Sequence, residues 1–110
     1  MAGHEEYLEK IQAYDAGASE DVVKSLYNRI RLAISNRDAA TVACSDKSEL
    51  ETIRDGFAKK TLGLDAQHSD DEIMGVLEKV CEEMKGDGGN KHRMVFYYLV
   101  AKHTGTLEKL

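Results

Sequence analysis

The sequence has no proline and only two cysteines. The absence of proline removes the commonest interruption of a helix and excludes a native cis-proline bond. The cysteines, Cys44 and Cys81, form no metal-binding or redox motif, because neither has a partner at a typical spacing. We therefore expect two reduced thiols in a cytoplasmic protein, with a bridge between them as the less favoured alternative.

The chain also lacks a surplus of positive charge and a long hydrophobic run. It carries 20 acidic residues against 15 lysines and arginines, a net charge of -5. Since a nucleic-acid-binding face needs a basic surplus, we expect no nucleic-acid partner. The first six residues are acidic and contain no apolar stretch, so we expect neither a signal peptide nor a segment that spans a bilayer. The predicted location is the cytoplasm.

The length of 110 residues predicts one domain, residues 1–110, and the 42% of hydrophobic residues is typical of a globular protein. The stretch Asn90–His103 is predicted to be its central helix. Eight successive residues within it, Met94–Ala101, include no strongly polar side chain and cover every side of a helix, so this helix should be buried all round. A strand is the alternative, since several of these residues favour strands. Helix is preferred because a single strand would have no partner in the chain.

Four further helices are predicted from apolar spacing and capping signals. Asp46 with Glu49, and Ser69 with Glu72, have the spacing of a capping box. Asn36–Cys44 is a predicted connector, in which Asp38 could cap a single turn. We therefore expect an all-α fold, a compact bundle of about five helices wrapped around a buried C-terminal helix. The four outer helices are expected at His4–Ala16, from Ser19 to about Ile34, from Asp46 to Gly63, and from Ser69 to Gly86.

A family resemblance adds to this prediction. Between about Leu26 and Gly105 the chain resembles a family of small uncharacterised bacterial proteins, one of the domains of unknown function. The resemblance implies a compact helical bacterial protein and brings no catalytic residue with it. It rests on Tyr27-Asn28, Asp38-Ala39, Val42-Ala43, Ser48-Glu49-Leu50-Glu51-Thr52, Phe57, Lys60, Leu62-Gly63-Leu64, Asn90-Lys91, Arg93 and Phe96-Tyr97-Tyr98.

The start of the predicted central helix is the clearest candidate site. Lys91, His92 and Arg93 stand in its predicted first turn, where the helix dipole disfavours cations. An anion held by backbone N–H groups would offset this cost, with Gly88-Gly89 giving the backbone its freedom. The candidate ligand-binding residues are Asn90, Lys91 and Arg93.

The preferred explanation of these cations is internal pairing. Glu82 and Glu83, one helix earlier, are the predicted partners. The histidines show no metal-binding spacing, so no metal and no cofactor are expected. Tyr97 and Tyr98 are predicted to be core residues whose hydroxyls bind an acid or a carbonyl oxygen.

The sequence shows no set of residues arranged for catalysis, so we prefer the interpretation that the protein is not an enzyme. We expect a small cytoplasmic interaction or self-association module, with a protein partner or a second copy of the chain as its target. Leu32, which falls among polar residues of the second helix, is the one hint of an exposed apolar contact. The alternative function is binding of a small phosphate- or carboxylate-bearing ligand at Gly88–Arg93.

Overall fold

Helix α5, Arg93–His103, is the centre of the fold, and every residue from Arg93 to Ala101 is buried. In the computed structural model, residues 4–34, 40–87 and 91–110 are described. The preference for helix over strand is confirmed, and so is burial on all sides. The predicted start at Asn90 lies outside the described residues. The helix itself begins at Arg93 because His92 has extended backbone and acts as its N-cap.

Four other α-helices precede α5 in the described ranges. They are α1 (His4–Gln12), α2 (Glu20–Ile34), α3 (Lys47–Ile53) and α4 (Asp70–Glu83). Helix α3 continues directly into a π-helical segment, Arg54–Thr61, which ends where Gly63 turns the chain at a φ of 68°. Short 3-10 turns complete the described structure at Leu64–Ala66, Lys85–Asp87 and Leu107–Lys109.

The helices enclose one hydrophobic cluster around α5. Helices α1, α2 and α4 pack directly against α5, whereas α3 is joined mainly to the π-helical segment and to α4. The prediction of an all-α bundle around a buried C-terminal helix is therefore confirmed. Among the described helices, none has both the length and the apolar character needed to cross a membrane.

The helix starts agree with the capping signals. Ser69 and Glu72 form the predicted capping box at α4, with bonds of 3.2 and 2.8 Å. At α3 the Oδ1 atom of Asp46 accepts from the backbone N–H of Ser48 at 2.9 Å. The carboxylate of Glu49 pairs elsewhere, so the predicted box at α3 is only half formed.

Helix α1 ends earlier than predicted, at Gln12 instead of Ala16. The backbone N–H groups of Tyr14 and Asp15 both donate to the carbonyl of Ile11, which closes the helix. The side chain of Asp15 is then held by the N–H of Gly17 at 3.2 Å and by the hydroxyl of Tyr98 at 2.7 Å. This local bond and the tertiary bond to Tyr98 together favour a non-helical turn over continuation of the helix.

The prediction of two reduced thiols is wrong for this structure. Cys44 and Cys81 form a disulfide with their Cα atoms 5.9 Å apart, across 37 residues of sequence. The fold brings the turn before α3 against α4, which places the two cysteines within bonding reach. The described chain thus has a covalent connection that its cysteine spacing did not indicate.

Three sequence predictions lie outside what the structure describes. They are the turn capped by Asp38, the flexible Gly88-Gly89 pair, and an exposed Leu32 side chain.

Candidate functional site

The start of α5 is joined to the segment Ala40–Val42. The N–H of Arg93 donates to the carbonyl of Ala40, and the N–H of Val42 donates to the carbonyl of Lys91, both at 2.8 Å. The two segments run antiparallel, with Thr41 opposite His92. One of the otherwise unpaired N–H groups at the start of α5 is thereby satisfied within the protein.

The side chain of Arg93 points into the protein and is only 11% exposed. Its guanidinium forms an ion pair with the carboxylate of Glu49 on α3. It also donates to the hydroxyl of Tyr97 at 2.9 Å and to the carbonyl of Thr41 at 3.4 Å. This set of bonds connects α3, α5 and the segment Ala40–Val42 through one cation.

The ring of Tyr97 completes this buried group. It stacks on Phe57 of the π-helical segment, with ring centroids 3.9 Å apart, and the guanidinium carbon of Arg93 lies 5.4 Å from its centre. Burial raises the pKa of the Tyr97 hydroxyl, although the positive charge of Arg93 opposes this. Burial would lower the pKa of Arg93, but Tyr97 and Glu49 outweigh it and the pKa is raised. Arg93 therefore stays charged, and it contacts Tyr97 and Glu49 inside the protein.

The described residues do not test the predicted anion site at Asn90, Lys91 and Arg93, which stays a prediction. Arg93 is committed to Glu49 and Tyr97, the backbone of Lys91 pairs with Val42, and Asn90 lies outside the described residues. Internal pairing of Arg93 was preferred from the sequence, and the structure agrees.

The predicted acidic partners of Arg93 were wrong. Glu82 pairs with Lys85 at 2.8 Å, and Glu83 lies 2.8 Å from a ring nitrogen of His103. Both carboxylates lie on α4, whereas the Arg93 guanidinium reaches α3.

His92 is the N-cap of α5, instead of a first-turn residue as predicted. Its Nδ1 atom accepts from the N–H of Met94 at 3.1 Å, which requires that nitrogen to be unprotonated. Burial lowers the pKa of His92, as do the charges of Lys10 and Arg93, while Glu6 opposes them. The lowered pKa therefore favours the neutral form of His92, which the cap needs.

Beside His92 a surface cleft of about 600 Å³ lies between α1, Thr41 and α5. The ring of Tyr7 stands 4.6 Å from the ring of His92 and 5.7 Å from the ring of Tyr27 on α2. Burial raises the pKa of Tyr7, as does the negative charge of Glu6. The described lining consists of Glu6, Tyr7, Lys10, Ala13, Tyr14, Thr41, His92 and Val95.

The cleft offers aromatic surface with polar tips, and its described lining has no cysteine or serine that could act as a nucleophile. Within residues 4–34, 40–87 and 91–110, no cluster of histidine, cysteine and acidic side chains could hold a metal ion.

Sequence reasoning missed both Glu49 and the cleft. Glu49 had a local explanation as a capping residue, and its spacing to Arg93 carries no periodic signal. Tyr7 lies within the predicted first helix, His4–Ala16, and was not singled out there. The one signal in the sequence was the position of Lys91 and Arg93 at the start of the predicted buried helix. Cations at that position need an acidic partner from another element.

The fold and this site define a small all-α domain with a buried C-terminal helix. A family model described as a protein of unknown function, DUF2853, matches residues 6–108. The chain belongs to that family, whose description names no activity. The match extends beyond the resemblance between Leu26 and Gly105 and includes most of α1. Comparison with curated proteins finds no match.

Proposed function

We propose that this protein is a non-enzymatic interaction module that binds a protein partner, or a second copy of itself, in the cleft beside His92. The observation that supports it is the row of contacting aromatic rings formed by Tyr27, Tyr7 and His92, of which Tyr7 and His92 line the cleft. All three residues are half-buried.

The chemistry of the lining favours a protein side chain as the occupant. Tyrosine is enriched at protein interfaces, since its ring gives a large apolar contact while its hydroxyl tolerates water. Glu6 and Lys10 place one charge of each sign at the cleft, which suits a polar rim around an apolar anchor. A volume of about 600 Å³ is also within the range of binding pockets.

Site-specific photo-crosslinking tests the proposal. A photoreactive residue replaces Ala13, which is exposed and lines the cleft, and in a control protein it replaces Glu78, which is exposed on α4. We expect a defined cross-linked protein, or a self-dimer, from position 13 and none from position 78. Mass spectrometry identifies the product and the cross-linked residue.

A second variant separates specific binding from chance capture. Tyr7→Ala removes the central ring of the aromatic row, and circular dichroism establishes that the variant is folded. In the folded variant the product from position 13 should fall at least about tenfold, since aromatic anchors dominate interface energies. Equal products from positions 13 and 78, or a product unaffected by Tyr7→Ala, would contradict the proposal.

We further propose a bacterial origin and a cytoplasmic location. The resemblance to small bacterial proteins supports the first, and the acidic composition with a net charge of -5 supports the second. Alkylation of thiols in intact cells provides a test. A protein recovered with both cysteines alkylated has occupied a reducing compartment, whereas one recovered wholly in the disulfide form has not.

A further inference from the structure

The disulfide lies close to the segment that joins the start of α5. Cys44 is two residues beyond Val42, and Cys81 lies in the last turn of α4. The bond therefore ties the chain that follows Ala40–Val42 to a helix that packs directly on α5. The disulfide can therefore restrain the segment Ala40–Val42.

We propose that Cys44–Cys81 is a reducible clamp, whose opening releases the segment Ala40–Val42 from the N-terminus of α5. Among the described residues, three hydrogen bonds link this segment to Lys91 and Arg93. Two are backbone bonds at 2.8 Å, and the third, from Arg93 to the carbonyl of Thr41, is long at 3.4 Å. Opening breaks these bonds and exposes the buried side chain of Val42, so the segment is held by few hydrogen bonds and one apolar anchor, as in regions that open by local unfolding.

The disulfide lies at the edge of the core. Cys44 and Cys81 are both only partly buried, and Ala43 and Ser45 on either side of Cys44 are exposed. A thiolate of a dithiol reductant can attack one sulfur to form a mixed disulfide and release the other cysteine as a thiolate, which takes up a proton. The second thiol of the reductant then displaces the remaining cysteine. The protein disulfide gains two electrons and two protons, and the dithiol becomes a disulfide.

Opening of the clamp changes the cleft, because Thr41 is one of its walls and stands opposite His92. Release of the segment removes the acceptor of the Arg93 N–H and moves Thr41 away from His92. This movement of the segment does not depend on whether the cleft binds a protein.

Amide hydrogen exchange, read residue by residue by NMR, tests the clamp. The oxidised protein is compared with protein reduced by dithiothreitol and with the double variant Cys44→Ser, Cys81→Ser. We expect exchange at the Val42 and Arg93 amides to rise by about tenfold or more in the two samples without the disulfide. These two amides donate the backbone hydrogen bonds that join the segments. The Leu62 amide, which donates to Phe57 at 3.1 Å within the π-helical region, is the control and should change by less than about threefold.

Three results would overturn the proposal. Equal acceleration at Val42, Arg93 and Leu62 would show a general loss of stability instead of local release. Unchanged exchange at Val42 and Arg93 would show that the hydrogen bonds hold the segment without the disulfide. Mass spectrometry after thiol alkylation verifies the oxidised state, and two alkylated thiols in protein purified in air would also reject the clamp.

Discussion

The hydroxyl of Tyr98 donates a hydrogen bond of 2.7 Å to Oδ2 of Asp15, across 83 residues of sequence. The bond ties the middle of α5 to the turn that follows α1, at the edge of the core. Lys102, one turn further along α5, brings its ammonium to 3.8 Å from the same carboxylate. Asp15 therefore adds a polar connection to the apolar packing of α1, which forms one wall of the cleft, against α2 and α5.

Tyr98→Phe should lower the free energy of unfolding by about 1–2 kcal/mol, because a hydrogen bond to a charged acceptor is lost. Urea denaturation at neutral pH measures this cost. Tyr27→Phe removes a hydroxyl from a half-buried tyrosine of α2 and serves as the matched control, with an expected change below about 0.5 kcal/mol. Equal effects of the two substitutions would show that the bond to Asp15 has no special weight.

The same substitution should change how stability depends on pH. The Tyr98 hydroxyl is the main cause that lowers the pKa of Asp15 below its ordinary value of 3.8, with Gly17 and Lys102 adding to it. A lowered carboxylate pKa stabilises the fold above the ordinary value, and this contribution is lost as pH falls through the folded-state pKa. The difference between wild type and Tyr98→Phe should therefore shrink in acid. Carbon NMR of the Asp15 carboxyl should show a higher pKa in the variant.

Arg93→Met should lower the free energy of unfolding by about 2–4 kcal/mol, because it leaves the Glu49 carboxylate without its cation. This is slightly below the cost expected for a fully buried pair, since the Glu49 side chain keeps 26% of its exposure. Arg31→Met, on the exposed side of α2, is the control and should cost less than about 0.5 kcal/mol.

A double variant distinguishes pairing from packing at this position. Arg93→Met with Glu49→Leu removes both charges, so it should recover part of the stability lost in Arg93→Met. Urea denaturation of the wild type, Arg93→Met, Glu49→Leu and the double variant gives the coupling energy of the pair. Strictly additive losses would mean that the Arg93–Glu49 contact contributes nothing beyond the volume of its side chains.

The helices could be predicted from the sequence because their signals are local. Ser69 and Glu72 lie three residues apart, and the apolar run of α5 is contiguous. Gly63 likewise marks its turn through its own backbone, which adopts a positive φ.

The site could not be predicted, since the contacts that bring its segments together join distant parts of the chain. Glu49 and Arg93 are 44 residues apart, and the two cysteines 37. Nothing in the composition of either segment specifies the other. His92 illustrates a different limit, because histidine is an uncommon N-cap and its role follows from the extended backbone that pairs with Thr41. The cleft depends on how α1 docks, which the α1 sequence alone does not fix.

Two glycines should respond in opposite ways to alanine. Gly75 lies inside α4, and no heavy atom would stand within 4 Å of an added Cβ. Gly75→Ala should therefore raise the free energy of unfolding by about 0.5–1 kcal/mol, because alanine loses less backbone entropy in a helix. Gly63 also has open space around it, but its φ is 68°. Gly63→Ala should cost about 1–2 kcal/mol from backbone strain. Thermal denaturation of the two variants checks the signs, and a stabilising Gly63→Ala would exclude the left-handed turn.

Acid should weaken the start of α5 through His92. Its pKa is lowered from 6.5, chiefly by burial, so the neutral ring stabilises the fold above that value and the contribution is lost as pH falls through the folded-state pKa. Between about pH 7 and pH 5 we expect the free energy of unfolding to fall by about 1 kcal/mol, the typical cost of a lost N-cap. The charged groups that act on the ring are Lys10 and Glu6 from α1 and the neighbouring Arg93.

His92→Asn is the matched control for this pH dependence, because asparagine retains a side-chain oxygen that can accept from the Met94 N–H and does not titrate. Urea denaturation at several pH values compares it with the wild type. The variant should be nearly as stable as the wild type at neutral pH and should lack most of the decline between about pH 7 and pH 5. If both proteins decline equally, protonation of His92 is not the cause, and the acid sensitivity must come from groups elsewhere in the fold.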